Sequence, residues 1–133
     1  MISSLVHVLT LLAVGALALD EEQAELARMV RENCVHEIGV DEGLLAKVDD
    51  GADLMPDPKL KCYLKCTMEM AGMISDGVVD VEAVLGLLPD DVKLRTTDIV
   101  RACDTQKGAD DCDTAFLTQT CWQQANRADY IFI

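Results

Sequence analysis

Apolar residues recur every three or four positions through most of this chain, which is the spacing that places them on one face of a helix. A first helix is predicted over residues 21–38, with Leu26, Met29, Val30 and Cys34 on its apolar face. No segment alternates apolar and polar residues in the way that a half-buried strand does, so no strand is predicted. The pattern therefore predicts an all-α protein.

Capping residues mark the second and third helices. Asp41 caps a short second helix, and Asp57 followed by Pro58 begins a longer third helix that runs through Met73. An aspartate at such a position accepts a hydrogen bond from a main-chain N–H group of the first turn. The third helix carries an apolar stripe with helical spacing, formed by Leu60, Tyr63, Leu64, Thr67, Met70, Ala71 and Ile74.

Three more helices are predicted after a turn at residues 75–77. Asp80 caps the fourth helix and Pro89 ends it. Its apolar face is formed by Val81, Val84, Leu85 and Leu88. A fifth helix is predicted over residues 91–104, and a sixth runs from a cap at position 110 or 111 to about position 125. The chain therefore contains about six predicted helices.

The first 19 residues contain no Asp, Glu, Lys or Arg, and positions 5–16 are almost continuously apolar. This is the outline of a secretory signal peptide, although no Lys or Arg precedes the apolar run. Small residues favour cleavage after Ala18, so residues 1–18 are predicted to be the signal peptide and residues 19–133 the mature domain. The alternative is a membrane anchor, but the run is shorter than the roughly 20 residues that a span needs, so no stable membrane insertion is expected.

Charge and side-chain chemistry narrow the function. The formal net charge of −13 repels phosphate backbones, so nucleic acid is not expected as a partner. After the predicted cleavage His36 is the one histidine left, and no nucleophile lies at a suggestive spacing from it. The Asp-Gly loops lack the ordered ligands of a calcium site, and there is no Cys-x-x-Cys pair for zinc. We therefore expect no enzyme, no metal and no cofactor.

Six cysteines behind a signal peptide predict three disulfides, and sequence alone allows fifteen pairings. Cys62 and Cys66 lie on one face of the third helix, where the backbone separation disfavours a bond between them. Cys112 and Cys121 face opposite sides of the sixth helix, so they cannot pair either. Excluding these two pairs leaves ten pairings open.

The cysteine spacing Cys34-x27-Cys62-x3-Cys66-x36-Cys103-x8-Cys112-x8-Cys121 resembles the six-cysteine signature of insect odorant-binding proteins, the pheromone-binding and general odorant-binding group. Segments 61–66 and 87–89, Trp122 after the last cysteine and the apolar tail support the resemblance. The resemblance implies six helices around an internal apolar cavity. It also implies one of the ten open pairings, in which Cys34 bonds to Cys66, Cys62 to Cys112 and Cys103 to Cys121.

The resemblance implies a secreted carrier that binds small apolar odorants or pheromone-like molecules reversibly. Such a carrier works in sensillum lymph or a similar extracellular fluid and presents its ligand to a chemosensory receptor. Homodimers occur among relatives, and no motif in this sequence decides that point. Two other interpretations stay open: a general lipid or hormone carrier outside sensory tissue, and a protein-interaction module held together by disulfides.

Ligand contacts are predicted from the apolar faces and from the resemblance, with flexible methionines suited to several ligand shapes. They are Tyr63, Met70, Ala71, Met73, Val81, Val84, Leu85, Leu88, Ile99, Gln119, Trp122, Tyr130, Ile131, Phe132 and Ile133. The last three are predicted to form a lid, because an apolar end favours a position over an apolar opening. By resemblance, the Ile133 carboxylate is expected to bond to Tyr63, and an arginine of the first helix is a further expected partner. Protonation of that carboxylate in acid is predicted to weaken this anchor and release the ligand.

Overall fold

The structure, a computed structural model, describes residues 21–133, and helices form most of that range. Helix α1 covers residues 21–38. It is followed by α2 (Glu42–Asp49), α3 (Pro58–Met70), α4 (Val81–Leu87), α5 (Asp90–Cys103) and α6 (Asp111–Ala125). A 3₁₀ turn at Arg127–Asp129 leads into an extended tail. The prediction of six helices is confirmed for the described residues, whereas the predicted signal peptide and its cleavage position lie outside them.

Aspartate caps begin four of these helices, because each carboxylate accepts a hydrogen bond from a main-chain N–H group of the first turn. The capping residues are Asp41, Asp57, Asp80 and Asp110. Of the two candidates for α6, Asp110 is the cap, since its Oδ1 atom lies 2.8 Å from the main-chain nitrogen of Asp113. The helix starts could therefore be predicted from local chemistry.

Helix α3 ends earlier than predicted, and a short hairpin follows it. The helix stops at Met70 instead of Met73 because Gly72 takes a φ of +74°, which turns the chain out of the helix. Strand β1 (Ile74–Ser75) then pairs antiparallel with β2 (Val78–Val79). Each strand has two residues, which is too short to show alternation, so the prediction of no strand was wrong here.

Asp76 and Gly77 connect the two strands and both have positive φ, 52° and 75° respectively. Positive φ at both central positions is the geometry of a type I′ turn, and an Asp-Gly pair favours it. The predicted turn is thus confirmed. The hairpin places the buried side chains of Met73 and Ile74 against the core instead of continuing the helix outward.

Helices α3 and α6 form the centre of the fold. The α3 residues Leu60, Tyr63 and Met68 are fully buried, as is Ala115 of α6. The ammonium group of Lys61 lies 2.8 Å from a carboxylate oxygen of Asp113, which adds a polar link between the two helices.

Three disulfides connect the helices, and all six cysteines take part in them. They join α1 to α3, α3 to α6 and α5 to α6, through Cys34–Cys66, Cys62–Cys112 and Cys103–Cys121. This is the pairing that the resemblance implies. Both central helices are therefore tied to two other elements, and a domain of this size gains much of its stability from such links.

Helix α1 packs on the core mainly through its C-terminal half. Cys34 is fully buried and Val30 is half-buried, whereas Leu26 and Met29 are 62% and 55% exposed. The predicted apolar face is thus covered only near the disulfide that holds α1 on α3. No helix within residues 21–133 is long and apolar enough to cross a bilayer.

Candidate ligand-binding site

A cavity of about 130 Å³ lies between α4, α5, α6 and the tail. Its wall is formed by Met73, Val84, Leu87, Leu88, Thr96, Ile99, Val100, Gln119, Trp122, Asn126, Asp129, Tyr130, Ile131 and Ile133. Most of these side chains are apolar, and a few carry polar groups. A cavity of this kind suits a small, mainly apolar molecule that also makes one or two polar contacts.

Helical periodicity explains how these residues meet. On α5 Thr96, Ile99 and Val100 lie three and four positions apart and so share one face of the helix. On α6 Gln119 and Trp122 lie three positions apart and share another. Because each helix presents one such face, the cavity forms where the faces meet without filling the space between them.

Nine of the fifteen predicted contacts lie on the cavity wall. They are Met73, Val84, Leu88, Ile99, Gln119, Trp122, Tyr130, Ile131 and Ile133. The other six lie elsewhere in the structure, and they are Tyr63, Met70, Ala71, Val81, Leu85 and Phe132. Ligand contact itself stays a prediction for every one of them.

The five of these residues that precede the tail are away from the wall for identifiable reasons. Met70 is the last residue of α3 and is 51% exposed, with its sulfur 3.1 Å from the side-chain nitrogen of Asn33 on α1. Leu85 and Tyr63 are buried within the core. Ala71 and Val81 are half-buried against the core, just beyond the end of α3 and at the start of α4. The predicted apolar stripes are present on the helices, but only part of each stripe lies on the cavity wall.

The tail is extended, so successive side chains alternate between two sides. Ile131 and Ile133 lie on the cavity wall, whereas the ring of Phe132 lies 6.1 Å from that of Tyr63. The guanidinium of Arg31 stands 5.5 Å from the centre of the same Phe132 ring. The tail therefore closes the cavity with one side and packs on the core with the other.

Tyr63 holds the end of the tail. Its hydroxyl donates a 2.6 Å hydrogen bond to the main-chain oxygen of Ile133, as the sequence interpretation expected. Burial raises the pKa of Tyr63 to about 12, so the hydroxyl keeps its proton at neutral pH. The expected arginine contact is different: Arg31 does not bond to Ile133 but pairs with both carboxylate oxygens of Asp49 on α2. It reaches the tail only through the face of the Phe132 ring.

A second polar link holds the tail to α5. Arg95 donates from Nε and Nη2 to the two carboxylate oxygens of Asp129, at 3.0 and 2.8 Å. The side-chain amide of Asn126 donates to the same carboxylate at 2.8 Å. These donors hold the pKa of Asp129 below its usual range, the Arg95 hydrogen bond having the largest effect. The bridge thus ties the turn before the tail to α5, with Asp129 itself on the cavity wall.

Comparison with known proteins places this arrangement in a family. The family model for the PBP/GOBP family matches residues 16–125, which include all six cysteines. The chain belongs to the PBP/GOBP family. General odorant-binding protein 69a of Drosophila melanogaster is 35% identical over 100 residues, which cover 74% of this chain and 68% of the relative. The chain is therefore a carrier of small ligands.

Solved structures of odorant-binding proteins have the same fold. Odorant binding protein 5 of Apis mellifera superposes with a TM-score of 0.76 at 22% identity, over 85% of this chain and 96% of that one. The fatty acid binding protein OBP56a from the oral disk of the blowfly Phormia regina superposes with a TM-score of 0.66 at 31% identity. That match covers 80% of this chain and 94% of the blowfly protein.

Five residues of this odorant-binding-protein cavity were missed by the sequence interpretation, and they are Leu87, Thr96, Val100, Asn126 and Asp129. Thr96 and Val100 share the α5 face with Ile99, so extending that helical stripe would have found them. Asn126 and Asp129 follow α6, and their position depends on how the tail folds back. The apolar end predicted that the tail folds back, but it does not indicate which polar residues before it come to lie on the wall.

Two further polar groups at the cavity are notable in this family member. The Tyr130 hydroxyl donates a hydrogen bond to the side-chain oxygen of Gln119, and burial raises the pKa of Tyr130. The indole nitrogen of Trp122 is buried and has no hydrogen-bond partner among residues 21–133.

Within the same described range no cluster of three or more His, Cys, Asp or Glu side chains is arranged to hold a metal ion. His36 is exposed on α1, away from the cavity wall.

Proposed function

We propose that this chain is a secreted carrier that takes up small apolar odorant or pheromone-like molecules and delivers them to a chemosensory receptor. The observation that carries the proposal is the mainly apolar cavity between α4, α5, α6 and the tail, inside a disulfide-linked helical domain. Reversible binding needs no covalent step, so no catalytic residue is part of the proposal.

The chemistry of the wall supports an uncharged or weakly polar ligand. The charged side chain on the wall, Asp129, is already paired with Arg95. Burying an unpaired charge against the remaining apolar groups would be costly. The blowfly relative is described as fatty-acid-binding, so alkyl chains with and without a carboxyl group belong in the same ligand panel as volatile alcohols, aldehydes and esters.

Filling the cavity tests where the ligand binds. We expect Ile99→Trp, on the cavity wall, to abolish binding of an apolar fluorophore because the larger side chain occupies the space. Leu94→Trp is the matched control, since Leu94 lies on the same helix, is 86% exposed and is not on the wall. Binding would be measured by fluorescence titration, with circular dichroism to check folding. Equal binding by the folded Ile99→Trp variant and the wild type would show that the ligand binds elsewhere.

We further propose that residues 131–133 act as the lid. Ile131 and Ile133 form part of the wall. Tyr63 holds the end of the segment at Ile133, and Arg95 holds Asp129 two residues before the segment begins. Deleting the three residues should speed release of a bound fluorophore, measured by stopped-flow displacement. An unchanged release rate in a folded, binding-competent truncated protein would contradict the lid.

A panel of ligands separates the sensory carrier from a general lipid carrier. We expect volatile esters, aldehydes and alcohols to displace the fluorophore at lower concentration than long-chain fatty acids. Preferential displacement by long-chain acids would favour lipid transport outside sensory tissue. No displacement by any apolar compound would instead favour a protein-interaction module.

A further inference from the structure

We propose that an exposed face of α1, together with a pocket at the C-terminal end of that helix, is a docking surface for a basic amphipathic helix of a partner protein. This interaction surface goes beyond the proposed carrier function and does not depend on what the cavity binds. The pocket shares no residue with the wall of the ligand-binding cavity.

One face of α1 is left exposed by the rest of residues 21–133. It is formed by residues at positions i, i+4, i+7, i+11 and i+15, and they are Glu22, Leu26, Met29, Asn33 and Glu37. At 3.6 residues per turn these positions lie within about a quarter of the helix circumference. Leu26 and Met29 are 62% and 55% exposed. We call these five residues the outer α1 face.

Met70 extends the apolar part of the outer α1 face onto α3. Its sulfur lies 3.1 Å from the side-chain nitrogen of Asn33, and the residue is 51% exposed. Leu26 and Met29 lie three positions apart and are therefore neighbours on the helix surface. Three large apolar side chains thus follow one another along the surface. Exposed apolar side chains that adjoin in this way, with polar residues around them, are typical of an interaction site.

A pocket of about 210 Å³ lies at the C-terminal end of the outer α1 face. Its wall is formed by Glu37, Ile38, Cys62, Lys65, Cys66, Glu69, Met70 and Cys112. Two of the three disulfides contribute to this wall, so covalent links hold it in shape. Because Glu37 and Met70 are part of the wall, the pocket and the apolar patch form one continuous surface.

The charges on this surface favour a cationic partner. Glu22 and Glu37 flank the apolar side chains, and neither forms an ion pair within residues 21–133. Lys65 is the basic residue of the pocket wall, and its ammonium group already lies 3.4 Å from the carboxylate of Glu69. The surface therefore presents carboxylates that no neighbouring cation neutralises.

The arginines of α1 do not offset this negative charge. Arg28 pairs with Glu25 and Glu32, and Arg31 pairs with Asp49. By the same helical spacing, both arginines lie on the opposite side of α1 from the outer α1 face. The distribution of charge around the helix is thus one-sided, with its free carboxylates beside the exposed apolar residues.

A basic amphipathic helix matches both the shape and the charge of this surface. The outer α1 face extends over about 22 Å at 1.5 Å per residue, so a helix of about 16 residues can lie along it. Apolar side chains three and four positions apart on the partner would contact Leu26, Met29 and Met70. Lysine or arginine at its two ends would pair with Glu22 and Glu37. Flexible methionines adapt to the packing of such a partner.

A second copy of this chain is a poorer occupant. It brings the same acidic face and the same formal net charge of −13, so the two copies repel each other.

A synthetic peptide tests the surface directly. The probe is a fluorescein-labelled helical peptide of about 16 residues, with lysines at both ends and leucines spaced three and four residues apart between them. Fluorescence anisotropy measures its dissociation constant with the folded wild-type protein. A second peptide, with the same leucines and with glutamates in place of the lysines, should not bind. Equal binding of the two peptides would overturn the role of charge.

Paired variants locate the binding site. The double replacement Glu22→Gln and Leu26→Gln should weaken binding of the lysine peptide about 5- to 10-fold. The matched control is Leu94→Gln with Asp98→Asn, because these two exposed residues of α5 also lie four positions apart. Each pair removes one negative charge and one exposed leucine, and circular dichroism checks folding. Equal weakening by the two pairs would show that net charge alone attracts the peptide, which overturns the proposal.

Methionine methyl signals provide a readout on the wild-type protein. The lysine peptide should shift the methyl signals of Met29 and Met70 in a ¹H–¹³C spectrum. The signal of Met55 should stay in place, since Met55 is 53% exposed but lies in the loop between α2 and α3. A shift of Met55 without shifts of the other two would place the peptide elsewhere and overturn the proposal.

Other occupants are distinguishable with the same variant. A wild-type dimer that becomes monomeric on replacing Glu22 and Leu26, measured by sedimentation equilibrium, would identify a second copy as the occupant. Binding to phosphatidylcholine vesicles that the same variant loses would identify a lipid surface. Either result overturns the proposal. The variant should still bind an apolar fluorophore as the wild type does, so failure of the docking surface and failure of the carrier function are separate outcomes.

Discussion

The two central helices, α3 and α6, and the tail that closes the cavity are held in place by different kinds of interaction. The two central helices are joined to each other by Cys62–Cys112 and by the ion pair of Lys61 with Asp113. None of the three disulfides reaches the tail that closes the cavity. A hydrogen bond from Tyr63 holds its end, and the ion pairs Arg95–Asp129 and Arg127–Asp53 hold the 3₁₀ turn that leads into it.

The difference corresponds to the mechanical needs of a carrier. Covalent links keep the helices in place where the structure has to persist whether or not a ligand is bound. Hydrogen bonds and ion pairs, which break and re-form readily, are found where a ligand has to enter and leave. The cavity can remain partly empty because the disulfides stabilise the fold independently of tight packing around the cavity.

Removing the central disulfide should have the largest effect. Replacing both Cys62 and Cys112 by Ser is expected to lower the free energy of unfolding by about 4 kcal/mol, because the bond closes a loop with a sequence separation of 50. The double replacement of Cys103 and Cys121, with a separation of 18, should cost about 3 kcal/mol. Urea unfolding measures both. Equal or reversed losses would show that loop length does not set the difference.

Two leucines of α4 allow the buried core to be compared with the cavity wall. Leu85 is 2% exposed and Leu87 is 53% exposed on the cavity wall. Leu85→Ala should lower the free energy of unfolding by about 3 kcal/mol, since it leaves a cavity in the core. Leu87→Ala should change it by less than about 0.5 kcal/mol and weaken ligand binding instead. A large loss of stability for Leu87→Ala would contradict the distinction between a core that stabilises the fold and a cavity wall that binds the ligand.

The hydrogen bond from Tyr63 to the tail should contribute less than the core does. Tyr63→Phe keeps the ring beside Phe132 and removes only the hydroxyl, so a loss of about 1 kcal/mol in the free energy of unfolding is expected. Ligand release should become faster because the end of the tail is less restrained. Stopped-flow displacement and urea unfolding measure the two effects. A stability loss without faster release would mean that the tail does not control access to the cavity.

The Arg95–Asp129 bridge should have the smallest effect on stability and a defined pH dependence. Because the pKa of Asp129 is lowered in the folded protein, its stabilising effect is complete above the usual pKa of 3.8 and is lost only as the pH falls through the lower folded value. Ligand release that depends on this bridge should therefore stay constant between pH 7 and pH 5 and accelerate in stronger acid.

Arg95→Gln should release ligand faster than the wild type already at neutral pH. Asp91→Asn is the matched control. The Asp91 carboxylate lies 3.8 Å from the same guanidinium, but Asp91 belongs to α5, so this ion pair does not connect α5 to the tail. If the two variants release ligand at the same rate, the bridge to Asp129 does not restrain the tail. If wild-type release accelerates already between pH 7 and pH 5, a group other than Asp129 controls it.

The sequence determined the helices of this protein and the positions at which they begin. Aspartates such as Asp57 and Asp80 cap helices through contacts within one turn, and those contacts depend on neighbouring residues alone. The cysteine spacing added the family resemblance and through it the disulfide pairing, which helix geometry had only reduced to ten choices. Helical stripes and the same resemblance also predicted Ile99 and Trp122 as ligand contacts, and both residues lie on the cavity wall.

Only the tertiary structure decided which part of each stripe meets the cavity and which part meets the core. Met70 lies outside the cavity, where its sulfur meets the side chain of Asn33 on α1, and Asp129 lies on the wall because the chain after α6 returns to α5. The unpaired indole of Trp122 is visible only when all the neighbouring acceptors are in place. Local contacts determine where helices form, but contacts between residues far apart in the chain determine what remains unfilled and unpaired between them.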